Sequence, residues 1–281
     1  MAKTDALSIL ESAETKDKLA ELDGKLIDSI QKDALSSRLK NTEYSGDPTT
    51  GSVVINRFKN SASSAYGTAR AAGKGTQLMN NGKVTINIDQ DKEIIEEIEK
   101  KDLMLFGIAG LADRRTANHS KRAAAELDRA FFATAVSAAT EVQTTATDIE
   151  DVAEAIIQTA TKTNNDWVDG VDRSDLEMSL SVGAYGKLRK YVDKIDGGVG
   201  AEEAPLFHGV RVYENTRQTA DIIVMYHGAV AQPVKFDPYD AERIGLSNSF
   251  AIELFYSYGT KAVMPDLIYK ITTLPTGGGS E

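Results

Sequence analysis

The groups able to do chemistry in this chain are few. Of three histidines, His119 falls among charged residues of a long helical pattern, while His208 and His227 occupy or adjoin strand-like runs nineteen positions apart. Neither a His-Glu-x-x-His nor a His-x-His spacing occurs, so structural or surface roles are expected for all three rather than a metal centre. Gly73-Lys74-Gly75-Thr76 has some letters of a phosphate-binding loop. That loop needs Gly-x4-Gly-Lys-Ser/Thr between a buried strand and a helix, so that successive amides surround the phosphates. Here Gly75 follows Lys74, Gly67 lies six positions before Gly73, and the following TQLMNNGKV is no helix, so a flexible loop tip is expected. Asp169, Asp172, Asp175 and Glu177 gather near Trp167 without a basic or metal-binding companion, and read as a turn and a solvated strand edge rather than an acid–base pair. There is no Gly-x-Ser-x-Gly elbow, and Gly183, Gly186, Gly197, Gly198 and Gly200 make no dinucleotide fingerprint. The absence of cysteine excludes disulfides, thiolate metal sites and cysteine nucleophiles. Neither an active site nor a cofactor is expected.

Charge is the more informative signal. A formal net charge of -10 argues against a general nucleic-acid binder, which needs a basic face to neutralise phosphates. The charge is uneven, however. From Pro48 to Ile88 there is no Asp or Glu, while Arg57, Lys59, Arg70, Lys74 and Lys83 are all positive. Immediately afterwards Asp89, Asp91, Glu93, Glu96, Glu97 and Glu99 make an acidic run, without the alternating ligands and Gly turn of a calcium loop. A basic stretch in an acidic protein invites an acidic partner, and the nearest supply is another copy of the same chain. Arg57, Lys59, Arg70, Lys74 and Lys83, with Glu93, Glu96 and Glu97, are therefore candidates for contacts between copies.

The elements that would carry these residues are legible from periodicity. Residues 5–40 place Leu19, Leu22, Leu26 and Ile30 on one face of an amphipathic helix, and 41–51 read as a linker. SVVINRF at 52–58 and KVTINID at 83–89 predict two strands of a long hairpin, whose intervening residues hold too few large apolar groups for a core. That hairpin is expected to project and to stay mobile until docked. The acidic run 89–101 is read as a short helix with Ile94, Ile95 and Ile98 on its apolar side. From Leu111 to about Val142, Ala117, Ala124, Leu127, Phe131, Ala135, Ala138 and Val142 recur on one narrow helical face, with Asn118, His119 and Asp128 on the polar circumference. This long helix is the expected spine. A helix follows at 147–163, with a capping box from Thr147 and Glu150 and a buried side of Val152, Ile156, Thr159 and Ala160. Strands at 176–182, 206–213, 222–230, 250–258 and 267–272, with a helix at 184–194 and a Gly-rich, disordered tail, complete an α+β chain. No apolar run is long enough for a membrane span and no leader is apparent at Met1, so a cytosolic protein is expected.

The order of these parts resembles the major capsid protein of tailed bacteriophages, with its Hong Kong 97-type capsid fold. Tyr258-Gly259-Thr260-Lys261-Ala262-Val263-Met264-Pro265-Asp266 is similar to the family's Tyr-Gly turn before the last strand. Leu206, Gly209 and Val212 are similar to its Gly-x-x-Val hairpin, and Ala125-Glu126-Leu127-Asp128 to the Asp-bearing end of its spine helix. The resemblance implies an N-terminal arm at 1–46, an extended β-hairpin loop at 47–88, and a peripheral domain with the spine helix at 89–146. It further implies an axial domain at 147–249, a C-terminal return to the peripheral domain at 250–274 and a tail at 275–281. By the same resemblance the chain would be no enzyme. It would self-assemble into pentamers and hexamers of an icosahedral head, put together in the host cytoplasm, enclosing double-stranded DNA without sequence-specific binding. Scaffolding, portal and decoration proteins are further partners that the family uses. Some members place a crosslinking lysine where Lys74 lies, but no matching Asn or Glu is found, so an ion pair is expected there. An encapsulin-like compartment and, from another class, a soluble enzyme with an unrecognised site are the alternatives.

Overall fold

A helix of 31 residues, α4 (Ile108–Ala138), is the element on which the rest packs; at 1.5 Å per residue it is about 46 Å long. The computed structural model describes residues 13–61, 63, 65–72, 82–99, 108–195, 206–238, 240–243 and 249–275. The readings made for Lys74, for the glycines at 197–200 and for the tail at 276–281 lie outside them. α4 begins earlier than the sequence pattern suggests and takes in Gly110, and its buried face is set differently. Thr116, His119, Ser120, Ala123, Ala124, Leu127, Asp128, Phe131, Phe132 and Ala135 are buried, whereas Ala117 and Asn118 are exposed. Val142 lies beyond the helix, after the short strand β4 (Thr140–Glu141). The face differs from the apolar pattern because it includes two polar residues, His119 and Asp128. Both are fully buried, each facing a charged partner from a distant part of the chain.

Helix α1 (Ala13–Asp33) lies along α4, with Leu26, Ile30 and Ala34 against Ala123, Ala124 and Leu127. The alanines permit this close approach. A single turn, α2 (Ser36–Leu39), follows. The same stretch of α4 is covered by a sheet whose central strand is β12 (Ser249–Tyr258), contributing Ile252, Leu254, Tyr256 and Tyr258. β10 (Val234–Phe236) and β11 (Asp240–Arg243) pair along one edge of β12. β3 (Gln90–Glu99) pairs antiparallel along the other, from Glu99 opposite Ser249 to Gln90 opposite Tyr258.

β3 is the acidic run read as a helix, and the isoleucine spacing misled. Its residues alternate instead: Lys92, Ile94 and Glu96 turn toward α4, and Asp91, Glu93, Ile95 and Glu97 turn outward. Glutamate has a good helix propensity, but ten residues of ladder with a long apolar strand outweigh a local preference worth tenths of a kcal/mol per residue.

A second sheet has the order β4, β14 (Ile268–Ile271), β8 (Ile222–Tyr226), β5 (Leu176–Ser181), β7 (Val210–Asn215) and β6 (Leu206–Phe207). The β14–β4 and β5–β7 pairs are parallel and the others antiparallel. One face, with Met178, Leu180, Val212, Ile222 and Val224, packs under α5 (Ile149–Thr161) and α6 (Val182–Ile195). The other, with Ile223, Met225 and Ile268, packs on Phe131, Phe132 and Ala135 of α4. The expected capping box of α5 does not form. Asp148 holds the cap position without a side-chain bond, and Thr159 is exposed while Ile149, Ala153 and Ile157 join the buried side.

The hairpin pairs β1 (Ser52–Arg57) with β2 (Gly82–Asn87), from Ser52 opposite Asn87 to Arg57 opposite Gly82. A five-residue helix, α3 (Thr68–Ala72), lies in the connection between them. Val53, Ile55 and Ile86 bury the root of the hairpin against Ala231 and Val263. Gly259 sits directly under it: a Cβ there would collide with the carbonyl of Asn87. Gly24, inside α1, has nothing nearby. Gly259→Ala is therefore expected to lower stability by about 1–3 kcal/mol through overpacking. Gly24→Ala should raise it by about 1 kcal/mol by removing backbone freedom. Urea unfolding midpoints of the two variants should move in opposite directions.

Candidate functional site at the root of the hairpin

Where β1 leaves the body, Arg57 is the third side chain of the buried face that begins with Val53 and Ile55. Its guanidinium is forked onto Asp266, with Nη1 to Oδ1 at 2.5 Å and Nη2 to Oδ2 at 2.8 Å. Asp266 sits in the 3-10 turn Pro265–Leu267 that precedes β14. Asn165 donates a second hydrogen bond to Asp266 Oδ2 at 2.7 Å. The other end of the Asn165 amide accepts the N–H groups of Trp167 and Val168, which folds residues 165–168 into a tight side-chain-capped turn.

That turn presents the Trp167 ring to two cations. The Arg57 guanidinium lies 4.9 Å and the Lys59 ammonium 5.5 Å from the ring centroid. Lys59 also pairs with Asp166 at 2.7 Å, and the Asn60 N–H donates to the Asp166 carbonyl at 2.9 Å. Gly82, opposite Arg57 on β2, is needed for this approach, since a Cβ would come within 2.9 Å of the indole and 2.5 Å of the Arg57 carbonyl. Open clefts of about 790 Å³ and 630 Å³ flank the indole. Burial alone would push the Asp266 carboxyl up, but hydrogen bonds from Arg57 and Asn165 more than offset this and hold it below the usual aspartate value.

The charged groups of the cluster itself, Arg57 with Asp266 and Lys59 with Asp166, are paired with one another. The arrangement is a clamp that fixes the direction in which the hairpin leaves the body. Arg57 and Lys59, read from sequence as reaching another copy, find these partners within the chain. Glu96 is likewise engaged internally, with Arg115 of α4 and with His119 Nε2 at 3.0 Å. Burial pushes the His119 imidazole below its ordinary value, against the pull of Glu96. Arg70 lies 5.7 Å from the ring of Tyr66, which is 94% exposed, and Lys83 is exposed on β2. Glu93 and Glu97 are exposed on the outward face of β3. Strand alternation thus separates them from Glu96.

The other candidate groups do not converge. His208 occupies a left-handed turn with Gly209, φ 49° and 88°, between β6 and β7. Its Nδ1 lies 2.6 Å from Glu154, which Arg173, acting first, with His208 and Gln158 holds at a pKa of about 2. Glu177, expected at a solvated edge, is buried in the interior strand β5, beside Arg211 at 3.5 Å and His227 at 3.4 Å. Asp169 accepts from Asn164 in the turn before it. Among the described residues no group of three or more His, Asp or Glu is placed to hold a metal. Nor is any described helix long and apolar enough to cross a membrane.

No protein-family model and no curated protein sequence matches this chain. Solved structures do. One from Mycobacterium phage Che8 is 20% identical with a TM-score of 0.63, covering 85% of this chain and 90% of that one. The capsid of an empty GTA particle is 13% identical with a TM-score of 0.60, covering 85% and 89%. The capsid of cyanophage P-SCSP1u is 15% identical with a TM-score of 0.57, covering 85% and 87%. The chain has the Hong Kong 97-type capsid fold. Within that capsid fold, the clamp residues Asn165, Asp166 and Trp167 carried no signal in the sequence beyond an Asn-Asn-Asp turn before the single tryptophan.

Since the indole is the only one, its fluorescence reports the clamp directly. The folded Asp266 carboxyl titrates below its unfolded value, so the clamp contributes stability above pH 3.8 and loses it as pH falls through the lower, folded value. Trp167 emission is expected to hold steady from pH 7 to about 4 and to shift red only below that. Arg57→Ala should leave far-UV circular dichroism unchanged, red-shift the emission at neutral pH, and move the acid transition upward, because burial then acts on Asp266 without its main counter-charge.

Proposed function

We propose that this chain is the major capsid protein of a tailed bacteriophage, forming pentamers and hexamers of an icosahedral head around double-stranded DNA. The observation that carries this reading is the reciprocal coverage: the likeness takes up 85% of this chain and 90% of the Che8 chain, so it runs through most of both rather than through one shared module. In this reading residues 1–46 are the N-terminal arm, 47–88 the extended loop, 89–146 with 250–274 the peripheral domain, and 147–249 the axial domain. The site of action is the virion, after assembly in the host cytoplasm, and the net charge of -10 keeps packaged DNA from sticking to the wall.

Among the described residues, the candidates for contacts between copies are the exposed ones that no ion pair holds within the chain, Arg70 resting only on the ring of Tyr66. Tyr66, Arg70 and Lys83 of one hairpin would meet the outward face of β3 and β12 on the next copy, where Glu93 and Glu97 flank the exposed Ile95 beside Glu253 and Phe255. Each exposed ion pair contributes only about 0–1 kcal/mol, so strength would come from the number of contacts per shell. Size-exclusion chromatography followed by negative-stain electron microscopy of the largest species is the test. Closed shells, or rings of five and six, are expected, with nucleic acid rather than protein cargo in particles from infected cells. A monomer at every salt concentration and with every scaffold tried would overturn the reading. Arg70→Glu with Lys83→Glu should abolish closed particles or lower the salt concentration that dissolves them, and Glu93→Lys with Glu97→Lys in the same chain should restore them in part.

A further inference from the structure

Asp128 is a fully buried carboxylate in the middle of α4, and three donors from two distant segments share it. Its Oδ1 accepts the Ser36 N–H at 2.8 Å, and its Oδ2 accepts the Leu35 N–H at 3.3 Å. These are the first amides of α2, whose own cap position, Leu35, offers no side-chain bond. The carboxylate on α4 therefore supplies the cap that the arm lacks. On its other side Oδ2 receives Arg217 Nη1 at 2.5 Å.

Arg217 belongs to the loop that joins β7 to β8. That loop is stitched to the end of the six-stranded sheet. The Arg217 N–H donates to Asn215 Oδ1 at 2.8 Å, Ser179 Oγ donates to Gln218 Oε1 at 2.5 Å, and Ser181 Oγ donates to Asp221 Oδ1 at 2.8 Å. The arm and this end of the sheet also share an apolar cluster, Leu35 and Leu39 with Ala220 and Ile223. Asp128 is the polar group to which both bond: Ser36 and Leu35 from one side and Arg217 from the other.

We infer that Asp128 couples the docking of the N-terminal arm to the seating of the 215–221 loop, so that displacing either loosens the other. The physical reason is that a buried carboxylate must keep its partners. If the arm leaves, the charge retains only Arg217 and draws water or moves toward the surface, which disturbs the guanidinium. If Arg217 leaves, the carboxylate loses its counter-charge, and among the described residues two amides are left to hold it in the interior. Coupling of this kind is reciprocal by thermodynamic necessity. It holds for the single chain, whatever that chain assembles into.

Amide hydrogen exchange of the full-length chain, read by mass spectrometry over the segments 26–40 and 211–226, tests this. Arg217→Gln is expected to speed exchange at 26–40 by about tenfold or more, although the bonds of Arg217 go to Asp128 and Asn215 and not to that segment. Leu26→Glu with Ile30→Glu, which detaches the arm, should speed exchange at 211–226 by a comparable factor, and Arg217→Lys should restore much of the protection lost in Arg217→Gln. Protection over 149–161, in a cluster that holds neither the arm nor Asp128, serves as the control and should be preserved. Unchanged exchange at 26–40 in Arg217→Gln would overturn the inference. So would a uniform loss over the whole chain, including 149–161, because Arg217 would then be a general stability residue.

Discussion

One helix must be buried on two sides along most of its length, and the sizes of its residues decide what can approach where. In α4, Ala123 and Ala124 are small where both α1 and the β12 sheet close in, and Phe131 and Phe132 are large where the six-stranded sheet comes down with Leu39 of the single turn α2 beside it. The two rings, neighbours on the helix, meet edge to face, with centroids 5.2 Å apart and planes at 77°, a favourable arrangement. Swapping the two pairs would leave a void at one end and a clash at the other. The register of the arm, the long strand and the six-stranded sheet against each other therefore follows from four side chains.

Burying a rod that also carries polar residues creates a second obligation. His119 and Asp128 lie on the covered face, and an unpaired charge there would cost several kcal/mol. Each is met by a group from far along the chain: Glu96 from β3 for the first, Arg217 and the arm amides for the second. Two carbonyls of the helix are answered as well, Leu127 by the Gln232 amide at 2.9 Å and Val136 by the Lys270 ammonium at 2.8 Å. These bonds cross between elements that hydrophobic contact alone would let slip. They specify one arrangement more than they add stability.

This division also explains what could be read from the sequence. The spine, the hairpin strands, the later strands and the α+β character follow from local periodicity, and local periodicity is what a sequence displays. The acidic strand β3 did not, because Ile94, Ile95 and Ile98 fit a helix face and only the ladder with β12, about 150 residues away, makes them alternate. The burial of His119, Asp128 and Glu177 is invisible to local pattern because their partners are 23, 89 and 34 residues distant. At the clamp, the segment Tyr258–Asp266 stood out by resemblance, and it supplies both Gly259 under the hairpin and Asp266 for Arg57. Asn165 and Trp167 gave no such sign. A one-residue slip in the pattern of β1 would have turned Arg57 outward, so its inward direction is a consequence of register alone.

The clamp and the acidic strand act on the same problem from two directions. An arm that must dock on another molecule loses less entropy if its root is already fixed, and Arg57, Trp167 and Gly259 fix that root through charge, ring stacking and close packing. Its outer residues, Arg70 and Lys83, carry charge without a carboxylate in the hairpin to satisfy them. β3, in turn, is a ten-residue edge strand, a template on which another chain's strand could add indiscriminately. Glutamates at alternate outward positions oppose that pairing between like strands by repulsion. In the proposed assembly the same carboxylates would favour the one approach in which the partner brings the opposite charge, as a basic hairpin with a fixed root would.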